Sequence, residues 1–179
     1  MRARLVGIAL VALTAAAVWA AGAQDAAWDD GPEEPGGTPS LLIEPPPGTA
    51  VVTAVVDGDT IRVQQDGEEH RVRLLGIDAP EVRDTPECGG PEASDALRDL
   101  LPVGTEVVLR DDPTQDPVDR YGRLLRYVEA PDGADIGVRL LLTGWVATYV
   151  FAEPFDRLDL YSDAEDEARD DERGAWGAC

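Results

Sequence analysis

Val51, Val52, Val55 and Val56 open a β-branched run that stops at Asp57-Gly58-Asp59-Thr60, and Ile61-Arg62-Val63 resumes it beyond. Runs of this kind, broken by Asp-Gly, predict strand, turn, strand. Asp66-Gly67 marks another turn, and His70 to Gly76 alternates as a further strand. Thr105 to Arg110 and Arg123 to Val128 are also predicted strands, the second entered through the turn Asp119-Arg120-Tyr121-Gly122. Three segments read as helices. Pro91 to Leu101 has its proline and Glu92 in the first turn, where each is tolerated or favoured. Asp135 to Thr143 is followed by Gly144, placed to end it. Phe155 to Arg173 is acidic, with Leu158, Tyr161, Ala164 and Ala168 as its apolar face. Five short strands with interspersed helices predict an α+β fold: a five-stranded OB-fold β-barrel decorated with three α-helices. No internal repeat is visible.

The pattern before Thr49 is different. Arg2 and Arg4 precede an uncharged stretch from Leu5 to Ala23, which ends Ala21-Gly22-Ala23. A basic start, an apolar run and a small-residue exit are the parts of a signal peptide, so residues 1–23 are expected to be removed on secretion. An uncleaved membrane anchor is the alternative, although the run is rich in alanine and glycine and only weakly hydrophobic. Residues 24–48 are dominated by acid, proline and glycine and read as a disordered linker. Residues 49–179 form the expected domain.

Composition narrows the chemistry. Of 179 residues, 36 are acidic and 15 basic, for a formal charge of −21; every basic residue is arginine. One histidine (His70) and two cysteines exclude a His/Cys zinc cluster and an iron–sulfur cluster. They also argue against nucleophilic sites built around a placed imidazole. Carboxylates, arginines and a hard metal ion remain. Export permits disulfides, and Cys88 with Cys179 is the one pair available; two free thiols are the alternative. Closing a loop of roughly 90 residues contributes about 4–5 kcal/mol in the chain-entropy picture.

Three segments carry candidate chemistry. Asp57 and Asp59 project to the same side of an extended chain, which is unfavourable without a nearby positive charge. In Val72-Arg73-Leu74-Leu75-Gly76-Ile77-Asp78-Ala79-Pro80-Glu81 a charged Arg73 lies in an apolar strand. A buried arginine needs an anion, either a protein carboxylate or a ligand phosphate. In Asp119-Arg120-Tyr121-Gly122-Arg123 two arginines flank an aromatic ring, a pairing suited to phosphate and base. Each segment alone also has a plain structural reading: a hydrated turn, an internal salt bridge, a polar turn. Together they describe a phosphodiesterase site. Asp59 and Asp78 offer hard oxygens suited to calcium, Arg73 and Arg123 offer two forks for a phosphate, and Glu81 can take a proton from water.

With Gly144-Trp145-Val146-Ala147-Thr148-Tyr149-Val150 added, these segments resemble the staphylococcal nuclease (thermonuclease) family, in order and in spacing, over roughly Thr49 to Gly177. The resemblance implies an OB-fold barrel with three helices. It implies calcium-dependent hydrolysis of DNA and RNA at the 5′ O–P bond, leaving 3′-phosphates. It implies Asp59, Asp78 and the backbone carbonyl of Ala79 as calcium ligands, with Asp57 shaping the site from behind. It implies Arg73 and Arg123 as transition-state arginines and Glu81 as general base. Arg120, Tyr121 and Tyr149 match substrate-binding positions. No protein partner is implied, so a monomer is expected. Ala79 stands where the staphylococcal enzyme has threonine, Phe151 where it has a second pocket tyrosine, and Arg120 where it has lysine. Cys88 and Cys179 have no counterpart in that cysteine-free enzyme.

Charge argues the other way. Nucleic-acid binders are usually basic, and ten acids lie between Glu153 and Glu172. Such repulsion is screened beyond about 8–10 Å at physiological salt. Acid excess without lysine fits work in strong brine, or a genome that favours arginine codons. The rival readings are a non-catalytic OB-fold nucleic-acid-binding module and a plain exported domain. The first would typically have lost the carboxylates or arginines; the second leaves Arg73 unexplained.

Overall fold

The structure is a computed structural model, and it describes residues 47–83 and 85–179. The expected signal peptide and all but the last two residues of the expected linker lie outside the described residues. In chain order the elements are β1 (Thr49–Val55), β2 (Thr60–Gln65), β3 (Glu68–Leu74), β4 (Ile77–Asp78), α1 (Gly90–Leu100), β5 (Glu106–Arg110), β6 (Leu124–Glu129), α2 (Ile136–Thr143), β7 (Ala147–Thr148), α3 (Leu158–Asp170) and α4 (Ala175–Ala178).

Five strands close a barrel in the order β1-β2-β3-β6-β5, with β5 returning to β1. This is the expected five-stranded barrel. Every pairing is antiparallel except β3 with β6. The β2–β3 hairpin runs from Thr60 opposite Arg73 to Gln65 opposite Glu68. Asp66 and Gly67 turn it with φ of 51° and 84°, the left-handed pair that a two-residue hairpin loop demands. Alternation puts Val52, Ile61, Val63, Val72 and Leu74 inside the barrel, all at 2% exposure or less. Leu97 and Leu101 from the α1 end and Ile136, Leu140 and Leu141 of α2 complete this core.

The helices follow their predicted signals at most ends. Asp135 caps α2 by accepting the Val138 N–H at 3.2 Å, and Gly144 ends it at φ 74°. The third helix starts at Leu158 rather than Phe155. The reason is tertiary. The Phe155 ring is buried between Tyr127 and Tyr161, with centroids 6.4 and 5.3 Å away. The next N–H, that of Asp156, donates to buried Asp112 at 2.8 Å. Of the expected apolar face, Tyr161, Ala164 and Ala168 are buried and Leu158 packs at the core's edge. Two features were not expected: the one-turn α4, and a two-stranded sheet of β4 and β7 that pairs Ile77 with Thr148 and Asp78 with Ala147.

Candidate functional site

Arg73, near the end of β3, is held by four contacts. Its Nη1 donates to the carbonyls of Leu74 at 2.9 Å and Ile77 at 2.6 Å. Its Nη2 lies 2.6 Å from Asp78 Oδ1 and 3.1 Å from Asp59 Oδ2. The two carboxylates therefore converge on one cationic nitrogen. The Arg73 side chain is 12% and that of Asp59 10% exposed, so this ion pair is largely out of water. Asp78 differs from Asp59: its side chain is 55% exposed. The Arg73–Asp78 contact thus exchanges for another anion at little cost.

Asp59 sits where the chain turns from β1 into β2. Its Oδ1 accepts the Thr60 hydroxyl at 2.9 Å and its Oδ2 accepts the Ala79 N–H at 3.0 Å. Asp57 Oδ1 accepts the Asp59 N–H at 3.4 Å and so stands directly behind it. Burial pushes the Asp59 carboxyl up to about 6; Arg73 pulls it down, and the negative Asp57 adds to the rise. Gly58 makes the turn possible. A Cβ there would lie 2.6 Å from the Ala79 Cβ and 2.7 Å from the Ala93 Cβ, so only glycine lets the Asp57–Asp59 turn close onto residue 79.

The expected metal ligands fit a hard cation. Asp59, Asp78 and the Ala79 carbonyl are all oxygen donors, from the β1–β2 turn and the end of β4. Asp59 is a buried carboxylate whose charge one arginine only partly offsets, which calls for more positive charge. Among the described residues no group of three or more acid, histidine or cysteine side chains is arranged to hold a metal. Any bound cation would complete its coordination with water or substrate oxygens.

A second cluster lies at the entry to β6. Parallel pairing sets Arg73 against Leu125, and Arg123 comes two residues earlier, just before β6. Asp119 organises this turn. Its Oδ1 accepts the N–H groups of Tyr121 and Arg123, both at 2.9 Å, and its Oδ2 accepts Arg123 Nε at 2.6 Å. Burial raises the Asp119 carboxyl, but these hydrogen bonds outweigh it and hold the group below the usual range. The Arg123 Nη hydrogens have no protein partner among the described residues, so a fork stays open beyond Nε. Tyr121 is 67% exposed, with the Arg120 and Arg123 guanidinium carbons 4.7 and 5.5 Å from its ring centre. Arg120 also donates to the Tyr121 hydroxyl at 2.6 Å.

Tyr149 is brought to the first cluster by the small sheet. Its N–H donates to the Gly76 carbonyl at 2.9 Å, one residue beyond the β4–β7 pairing that contains Asp78. Tyr149 and Phe151 are both exposed. Glu81 is exposed on the irregular segment after β4, where its backbone meets Glu87. Cys88 and Cys179 form a disulfide, with Cα atoms 6.0 Å apart and 91 residues of separation. Thus Asp57, Asp59, Arg73, Asp78 and Ala79 form one bonded cluster, and Arg120, Tyr121 and Arg123 form another. The roles of Gly58, Thr60 and Asp119 were not anticipated. The one available signal was that Asp119 and Gly58 lie inside motifs singled out for their neighbours.

The sequence model of the staphylococcal nuclease homologue family matches residues 71–178. The chain is similar to an uncharacterized endonuclease of Escherichia coli O157:H7, 34% identical over 125 residues, which are 70% of this chain and 74% of that one. It is similar to the thermonuclease of Staphylococcus intermedius, 35% identical over 130 residues, again 70% and 74% of the two chains. It also resembles endonuclease YncB of Bacillus subtilis (strain 168), 31% identical over 146 residues, or 80% of this chain and 69% of that one. The matched span carries Arg73, Asp78, Ala79, Glu81, Arg123 and Tyr149, and on barrel, site and sequence together the chain belongs to the staphylococcal nuclease family.

Proposed function

We propose that this protein is a secreted, calcium-dependent nuclease that hydrolyses phosphodiester bonds of DNA and RNA at the 5′ O–P bond and leaves 3′-phosphates. One observation carries the reading most: a largely buried guanidinium, Arg73, clamped between two carboxylates of unequal exposure. The inequality suits a phosphate-binding arginine, because the exposed partner can give way when substrate arrives.

Asp59, Asp78 and the Ala79 carbonyl would hold the calcium ion. When bound, calcium offsets phosphate charge and lowers the cost of negative charge growing on the phosphoryl oxygens. The chain's own groups do the rest. Arg73 turns its Nη2 hydrogens from Asp78 to a phosphoryl oxygen. Arg123, its Nε fixed by Asp119, presents its open Nη fork to the same group. Glu81 accepts the proton of the attacking water, and water is available because the side chain is exposed. Tyr121 and Tyr149 offer aromatic faces for sugar and base.

The test is release of acid-soluble nucleotides from single-stranded DNA by the purified protein, with calcium, with chelator, and with Arg73→Ala. Calcium-dependent release that the substitution abolishes is the expected result. Retained DNA binding with no turnover under any salt condition would instead establish a binding module.

A further inference from the structure

Glu81 poses a positional problem. It is exposed, on the stretch between Asp78 of β4 and Gly90 of α1, whose described residues form no helix or strand. Two hydrogen bonds fix its backbone. The Glu81 N–H donates to Glu87 Oε2 at 3.0 Å, and the Glu87 N–H donates to the Glu81 carbonyl at 2.8 Å. The next residue, Cys88, is bonded to Cys179. Gly89 then lies against Trp145 and Ala175, and Gly90 so close beneath the Glu81 carbonyl that a Cβ would reach it at 2.7 Å.

The far end of this tie is itself anchored. Ala175 N–H donates to the Gly144 carbonyl, and Cys179 N–H to the Ala175 carbonyl, both at 2.9 Å. A continuous path therefore runs from the end of α2 through Ala175, Cys179, Cys88 and Glu87 to Glu81. Both cysteines are exposed, so their bond covers none of the core. Its local effect falls on the segment that carries Glu81.

We propose that Glu87 and the Cys88–Cys179 disulfide are positioning residues for Glu81, holding its carboxylate where it accepts the proton from water. The inference rests on the reading of Glu81 as proton acceptor. Displacing such a group by about 1 Å costs on the order of a hundredfold in rate. A partial release of the segment is therefore expected to lower kcat about tenfold or more and to leave KM nearly unchanged.

The experiment compares Glu87→Ala, Glu87→Gln and the double variant Cys88→Ser/Cys179→Ser, each alone and combined with Glu81→Gln. Steady-state cleavage of single-stranded DNA gives kcat and KM, and circular dichroism at the assay temperature gives the folded fraction. Glu87→Ala and the cysteine variant should lose kcat. Glu87→Gln should retain most of it, because its amide oxygen still accepts the Glu81 N–H. None should lower the residual rate of Glu81→Gln further. If the cysteine variant unfolds, the two Glu87 variants decide, since they leave the disulfide intact. An equal fractional loss in the Glu81→Gln background, or unchanged kcat in Glu87→Ala, overturns the inference. An active wild type indifferent to Glu81→Gln, or an inactive folded wild type, overturns instead the reading beneath it.

Discussion

Asp59 should make the metal-free protein less stable at neutral pH, and Asp59→Asn should relieve this. Burial raises its carboxyl from the usual 3.8 to about 6 in the folded chain. At 1.36 kcal/mol per pH unit, ionising it in the fold rather than in the unfolded chain costs about 3 kcal/mol. The direction follows from the order of titration. The unfolded chain gives up this proton near pH 4, the folded chain near 6, so the penalty is complete above pH 6 and fades as pH falls toward 4. The attraction of Arg73 is already contained in the folded value. Asparagine keeps one acceptor oxygen for Ala79 or Thr60 but loses the other hydrogen bond, an offset of about 1 kcal/mol. In chelator, Asp59→Asn should therefore exceed the wild type by about 2 kcal/mol at pH 7. Near pH 4 it should have no advantage. Urea denaturation of both proteins at half-unit steps from pH 4 to 7.5 measures this difference directly. The carboxylates with lowered pKa values affect both proteins alike and cancel. A variant that is less stable at pH 7, or a difference that does not change with pH, would refute the reasoning. Calcium should stabilise the wild type and not the variant, since a ligand that binds only the native state raises its stability.

Arg73→Ala should lower kcat by roughly 10²–10³, the usual cost of one fixed donor to developing charge, read in single-turnover cleavage of DNA. Gly58→Ala should cost about 1–3 kcal/mol in thermal or urea unfolding, because the added methyl meets Ala79 and Ala93 at less than 3 Å. Asp119 titrates in the opposite sense to Asp59. Its hydrogen bonds hold the folded carboxyl below the unfolded value, so its stabilisation is complete above about pH 4 and lost as pH falls through the folded value. Asp119→Asn should accordingly show a shallower acid-unfolding profile by circular dichroism.

The barrel was legible because its strands carry β-branched or alternating apolar runs bounded by Asp-Gly or another turn signal. β4 and β7 were not, since two residues cannot display a period. The start of α3 was misplaced because its helical pattern continues back to Phe155, and only the aromatic pocket and the Asp112 contact show where the helix yields. At the site, Arg73 announced itself as a charge inside an apolar strand. Asp59 and Asp78 stood out as hard oxygen donors, and that both also pair with Arg73 shows only in the fold. Gly58 and Asp119 were visible as letters but not as parts. One acts through a contact with residues 79 and 93, the other through three hydrogen bonds inside a turn, and neither leaves a periodic mark. The pairing of Cys88 with Cys179 followed from there being no other cysteine. That the bond adjoins the Glu81 segment depends on how the chain end docks beside Gly144.

The single parallel seam has a consequence for how the protein fails. Arg73 lies on β3 and Arg123 just before β6, strands that pair although about fifty residues apart in the chain, and the barrel closes only if this seam forms. Opening that seam separates the strand that carries Arg73 from the one that Arg123 leads into. Substitutions that weaken the barrel far from either arginine should thus reduce the number of competent molecules, while each survivor works at full speed. Titration of competent molecules would distinguish such lesions from chemical ones, and specific activity alone would confuse the two.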